Sequence, residues 1–294
     1  MCMQIESLKV FCDLAETTSF TKAAQINGVT QSAVSQQLTA LETKFNAKFI
    51  ERSKKRFSLT KEGETLYKSS TQIVQSYEEL RHRIQEIQNI VTGTIKVVTI
   101  YSIGLHELPP ILKKYLKKYP TVNVSVEYRR ATQLYDDIIT GIADIGLVAY
   151  PQKDARLHVT SLDEDLLVLI CHPEHELAQK SKVKLSEISK HKFIAFEPDI
   201  PTRRAIDKIL RERSVEVEHS MEFDNIETVK RAVEINAGIS IVPRSPVIQE
   251  VSKTTISMVE IEGENFYRPL AAVHKRSKVL SPAMKEFLSL LKKG

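Results

Sequence analysis

Residues 61 to 91 place Leu66, Ile73, Tyr77, Leu80, Ile84, Ile87 and Val91 on alternating three- and four-residue steps, with Ser70 as the one weak member. This spacing predicts one long helix whose apolar seam is too narrow for the core-facing side of a compact domain. A seam of that width needs a second helix against it, most simply the same helix from an identical subunit. The alternative is packing against the rest of its own chain. Gly93 is expected to end the helix. The seam therefore divides the chain into a unit before residue 61, a linker at 61–92 and a unit from 93 onward.

The unit before the seam is helical. "IESLKVFCDLAETT" carries Ile5, Leu8, Phe11, Cys12 and Ala15 at helical spacing, and Ser19 is a plausible cap for "FTKAAQI". "NGV" reads as a turn, and Thr30 caps a third helix, which gives a helix-turn-helix. On that third helix Val34, Leu38, Leu41 and Phe45 form one buried stripe. Ser32, Gln36, Thr39 and Thr43 lie opposite, flanked by Gln31 and Ser35, and no acidic residue occurs before Glu42. Amides and hydroxyls of this kind match base edges in a DNA major groove, and nothing in the first turns repels a phosphate. "KFIERSKKRFSLT" then predicts a hairpin with Phe49, Phe57 and Leu59 packed inward and Arg52, Lys54, Lys55 and Arg56 at its tip. Such a basic wing would hold phosphates without reading sequence.

From Thr94 the pattern changes to β-rich runs alternating with helices, the sign of α/β layers with largely parallel sheets. Two lobes are expected, 93–163 with 268–294, and 164–267. In such folds ligands bind where loops leave the carboxyl ends of strands. Ser102 and Ile103 follow the first strand, Arg129 follows the second, and Glu197 follows "KFIAF". Thr202 and Arg203 open the next helix behind Pro201, at its positively polarised end. A hydroxyl and a guanidinium there suit an anionic group, although Arg203 stands four residues before Asp207 and a surface pair would use it up.

Several function classes drop out. With 42% hydrophobic and 27% charged residues the composition is that of an ordinary globular protein, and its net charge of +5 is too mild for nonspecific coating of nucleic acid. There is no apolar run of about eighteen residues and no leader-like start, so a cytoplasmic protein without membrane contact is expected. Cys2, Cys12 and Cys171 form neither a disulfide framework nor a zinc cage, and Cys171, His172 and His175 make a weak metal candidate. No hydrolase, metalloprotease, phosphate-loop or dinucleotide fingerprint appears, so neither an enzyme nor a cofactor is expected. A solute-binding protein with a helical extension is the rival reading, and it lacks an export signal.

The stretch "LKVFCDLAETTSFTKAAQINGVTQSAVSQQLTALETKFNAKFIERSKKRFSLTKEGE" closely resembles the amino-terminal winged helix-turn-helix of LysR-type transcriptional regulators. The resemblance extends through "LPPILKKYLKKYP", "GIADIGLV", "HPEHELA" and "VKRAVEINAGISIVP" in the family's order. It implies a bacterial one-component regulator that dimerises through the linker helix, often as a dimer of dimers, on an inverted-repeat site in double-stranded DNA. It also implies a two-lobed, periplasmic-binding-protein-like domain with a small-molecule effector between the lobes. DNA contacts would map onto Gln31, Ser32, Ser35 and Gln36, with Arg52 and the wing on phosphates, and effector contacts onto Ser102, the Arg129 turn and Thr202; Thr30 and Thr39 are expected DNA contacts from their place on the same helix face. Many relatives have proline where Ser32 stands and arginine where Gln36 stands, so the operator preference does not carry over.

Overall fold

The computed structural model describes residues 4–51, 57–263 and 265–292. Helices α1 (Ile5–Thr17), α2 (Phe20–Asn27) and α3 (Gln31–Phe45) pack around Leu8, Phe11, Leu14, Ala23, Val34 and Leu38. Ser19 and Thr30 cap α2 and α3 by accepting from the Lys22 and Ala33 amides, and Gly28 makes the turn between them at φ 64°. Strands β1 (Ile50–Glu51) and β2 (Ser58–Leu59) pair antiparallel as the base of the hairpin. Its tip residues Arg52, Lys54, Lys55 and Arg56 lie outside the described residues.

Helix α4 (Lys61–Ile87) begins with Thr60, whose hydroxyl accepts from the Gly63 amide and donates to the Lys48 carbonyl. Gly63 sits against the Phe49 carbonyl, which a side chain there would strike, so the helix can rise directly off the hairpin. One face of α4, with Tyr67, Ser70, Val74 and His82, lies toward its own chain. Ile73, Tyr77, Leu80, Ile84 and Ile87 are exposed.

Three expectations are corrected. The helix ends at Ile87, not near Gly93: Asn89 turns left-handed at φ 53°, and the Asn89 and Ile90 amides bond back to the Glu86 and Gln85 carbonyls. That is a Schellman closure with asparagine in the glycine position. Val91 therefore lies beyond the helix, packed against the core of the next unit. Leu66 is partly buried on the head's own core, and Phe45, expected inside, is 48% exposed at the end of its stripe.

The remaining chain forms two α/β lobes. The first contains β3 (Gly93–Thr99), a π-helical turn (Ile103–Glu107), α5 (Leu108–Lys118), β4 (Val122–Tyr128), α6 (Ala131–Thr140) and β5 (Ile145–Ala149). Strand β6 (Leu157–Cys171) is 15 residues long and crosses from the first lobe into the second. There follow β7 (Lys182–Val183), α7 (Leu185–Ile188), β8 (Lys192–Phe196), α8 (Pro201–Glu212), β9 (Glu218–Phe223), α9 (Ile226–Glu234), β10 (Ser240–Pro243), α10 (Ile248–Ser252) and β11 (Ser257–Ile261). Strand β12 (Tyr267–Lys275) returns to lie between β5 and β6, and α11 (Pro282–Leu291) covers the first lobe's core. In the first lobe β3 pairs parallel with β4 and β5, while β12 runs antiparallel to β5 and β6. The two lobes thus share β6, which pairs with β12 up to Leu166 and with β10 from Leu167.

Candidate functional site

Two surfaces carry chemistry, the outer face of α3 and the cleft between the lobes. On α3, Gln31, Ser32, Ser35, Gln36, Thr39 and Thr43 are all exposed, while Val34, Leu38 and Leu41 are buried beneath them. Thr39 and Thr43 donate their hydroxyl protons to the Ser35 and Thr39 carbonyls, which leaves the oxygens' lone pairs to accept. Thr30 and Ser32 bond each other across the first turn at 2.8 Å. A shallow strip runs along Ser35, Gln36, Thr39, Ala40 and Thr43. The first acidic residue, Glu42, is buried and turned inward, held by Lys48 at 2.6 Å and by the Phe49 amide. The outward face is thus uncharged up to Lys44, and the one nearby carboxylate serves the hairpin.

The cleft encloses a cavity of about 80 Å³. Ser102 and Thr202, both buried, line it from opposite lobes. Thr202 sits with Ile200 and Pro201 at the start of α8, where the helix presents amide N–H groups and positive polarisation. Tyr101 stacks on Tyr128 at 5.1 Å beside the cavity. Gly104 in the π-helical turn lies so close to Thr99 and Tyr128 that no larger residue fits.

The other expected cleft residues are placed differently. Arg129 lines the cavity, but its guanidinium is taken by Glu127 and Asp137 on its own lobe. Arg203 is buried and points away from the cavity, with Nε on Asp207 at 2.8 Å and Nη1 on Glu222 at 2.8 Å and on the Phe196 carbonyl. The i, i+4 pair with Asp207 does capture it. Ile103 is core beneath Ser102. Glu197 faces across the cleft to Arg130, which donates to Glu197 at 2.8 Å and to Asp199 and Asp224 at 3.4 Å. The neighbour of the expected arginine is thus the one that bridges the lobes.

Sequence reasoning passed over Arg268. It is fully buried on β12, directly opposite Asp165 in the β6 register, where the chain crosses between lobes. Its Nη1 donates to Ser102 Oγ at 2.9 Å and its Nη2 to Asp165 at 3.2 Å, while Asp165 also accepts from the Ser245 amide of the second lobe. Its Nε has no partner among the described residues. Burial pushes its pKa down, a pull that Asp165 only partly opposes. The side chain contributes to the cavity wall.

Elsewhere, Cys171 lies in the core of β6, and burial pushes its thiol up to about 11, as it does that of Cys12. His175 caps the turn that follows and packs on His191. Among the described residues no cluster of three or more His, Cys, Asp or Glu forms a metal site, and no helix is long and apolar enough to cross a membrane.

Comparison with known proteins accounts for both ends of the chain. A family model described as the LysR substrate binding domain matches residues 88–294, and one for the bacterial regulatory helix-turn-helix protein, lysR family, matches residues 5–64. The chain is 27% identical over 290 residues to the HTH-type transcriptional regulator CysL of Bacillus subtilis (strain 168), covering 99% of this chain and 97% of the relative. A full-length OxyR from Pseudomonas aeruginosa shares the fold with a TM-score of 0.74 at 20% identity, over 99% of this chain and 97% of that one. The regulatory domain of CcmR from Synechocystis PCC6803, solved in complex with 2-PG, matches with a TM-score of 0.63 at 23% identity, over 69% of this chain and 97% of that one.

Proposed function

The chain belongs to the LysR family of DNA-binding transcriptional regulators, and on that premise we propose that it reads an inverted-repeat operator as a homodimer or dimer of dimers whose reading heads are repositioned by a small molecule bound between the lobes. It is a regulator with an effector-binding domain, not an enzyme. In this reading residues 1–60 contact DNA, 61–92 join subunits and 93–294 hold the effector. The effector carries an anionic group, received by the Ser102 and Thr202 hydroxyls and the start of α8, and the protein works in the cytoplasm.

The observation that carries the reading head is the uncharged, exposed strip of Gln31, Ser32, Ser35, Gln36, Thr39 and Thr43 above a buried stripe. Gln36 lies at its centre and is exposed, and a glutamine amide can pair bidentately with adenine. Fluorescence anisotropy on the site footprinted upstream of the protein's own gene tests this. Gln36→Ala is expected to weaken that site about tenfold, within the ~1–3 kcal/mol of one bidentate base contact, and to leave random-sequence DNA unaffected. Equal affinity of the variant and the parent for the site would sink the assignment.

A further inference from the structure

We infer that the cleft is built for a small zwitterion, an α-amino acid the size of glycine or alanine, with its carboxylate on Arg268 and Ser102 and its ammonium among the carboxylates that now hold Arg130. This rests on the reading of the cleft as the effector site.

Its two ends ask for opposite charges. On the cavity wall at the inner end, Ser102 and Arg268 each offer a donor. Ser102 accepts from Arg268, so its own proton is directed elsewhere, and no acceptor among the described residues takes it. Arg268 Nε is buried and unpartnered, and the start of α8 adds its amide N–H groups beside Thr202. A carboxylate supplies the acceptors that these groups lack, and a buried donor left without one is unfavourable.

The outer end is acidic. Arg130 faces Glu197, Asp199 and Asp224, and Asp199 and Asp224 also line the cavity, while the nearby Arg204 guanidinium is held by the Pro198 and Asp199 carbonyls. Three carboxylates around one guanidinium leave negative charge over, so this end accepts a further cation. Arg129 supplies none, because Glu127 and Asp137 hold it. At the inner end Arg268 is matched by Asp165, with Glu107 close enough to bias it. A dianion would bring two negative charges into a cleft whose outer end already carries three carboxylates around Arg130. A zwitterion adds one charge of each sign where each is wanted.

Size narrows the class. The cavity of about 80 Å³ is roughly half the ~150 Å³ that accommodates benzene, which limits the ligand to on the order of five non-hydrogen atoms unless the lobes part.

The full-length protein, titrated calorimetrically with glycine, L-alanine, sodium acetate and ethylammonium chloride at matched ionic strength, provides the test. Glycine or alanine is expected to bind saturably, and acetate and ethylammonium, each with half of the charge pattern, at least tenfold more weakly. Asp224→Asn, at a half-exposed position, should lower amino-acid affinity at least tenfold. Arg268→Lys keeps a charge for Asp165 but lacks the Nε donor, and should do the same while melting as a folded protein. The inference is overturned if neither amino acid binds saturably, if acetate binds as tightly as glycine, or if Asp224→Asn changes nothing. Acetate binding that Ser102→Ala abolishes would leave the cleft as the effector site and remove only the zwitterion. Amino-acid binding indifferent to both Ser102→Ala and Arg268→Lys would remove both.

Discussion

Thr202 and Arg203 are neighbours in sequence, yet the first turn of α8 sends one to the cavity wall and the other into a nest of carboxylates behind it. Helical geometry separates adjacent side chains by about 100°, so a helix start offers a cleft only part of its first turn. The rule that ligands gather past strand ends points to loops that line this cavity but cannot choose within them, which is why it names Arg129 where Arg130 bridges. Arg268 gave no local signal. It is one basic residue in the strand "YRPLAAVHK", and its partners Ser102 and Asp165 are more than a hundred residues away in sequence. Arg203 is accordingly a stability residue. Arg203→Ala should cost on the order of 2–3 kcal/mol, toward the low end for a broken buried pair because Asp207 and Glu222 retain water contact. Urea denaturation measures this, and a midpoint unchanged from the parent would show that the pairs contribute nothing.

Helix α4 illustrates what periodicity conveys. Its exposed row of Ile73, Tyr77, Leu80, Ile84 and Ile87 was legible because a three-and-four spacing survives in sequence without knowledge of the fold. Its second face, where Gly63 meets the hairpin and Tyr67 bonds Glu16, was not, since glycine and tyrosine carry no period of their own. Its end was misplaced because Asn89, not Gly93, takes the left-handed position. The exposed row bears on oligomeric state. Ile84 is 46% exposed on a helix whose opposite face is already occupied, so a carboxylate there leaves the monomer fold intact and charges the proposed seam. Ile84→Glu is expected to shift sedimentation at micromolar concentration toward the 33.4 kDa monomer. A mass equal to the parent's would place the subunit contact elsewhere.

Across the whole molecule, the reading head rests directly on the first lobe of its own chain. Lys275 on β12 pairs with Glu16 at the end of α1, Gln75 donates to the Ser277 carbonyl, and Lys285 on α11 holds Glu86 on α4 at 2.7 Å. The β12 strand that carries Arg268 in the cleft therefore also carries, seven residues on, the lysine that touches the head. This junction also contains His82, buried with its Nδ1 unpartnered among the described residues. Burial first, and then the neighbouring Arg81 charge, lower its pKa below the ordinary 6.5. Burial likewise lowers His274 on β12, and His175 in the second lobe. Each of these groups binds a proton more readily in the unfolded chain. Stability is therefore fully present above about pH 6.5, and declines as the pH falls through that value toward the depressed folded values. Glu227, whose contacts with His106 and Lys230 outweigh burial and lower its pKa, acts in the same direction at lower pH. Melting temperatures should thus fall between pH 7.5 and 5.5, and replacing His82 with glutamine should flatten part of that slope. A melting temperature that rises on acidification across this interval would mean that these histidines are not held neutral in the folded protein.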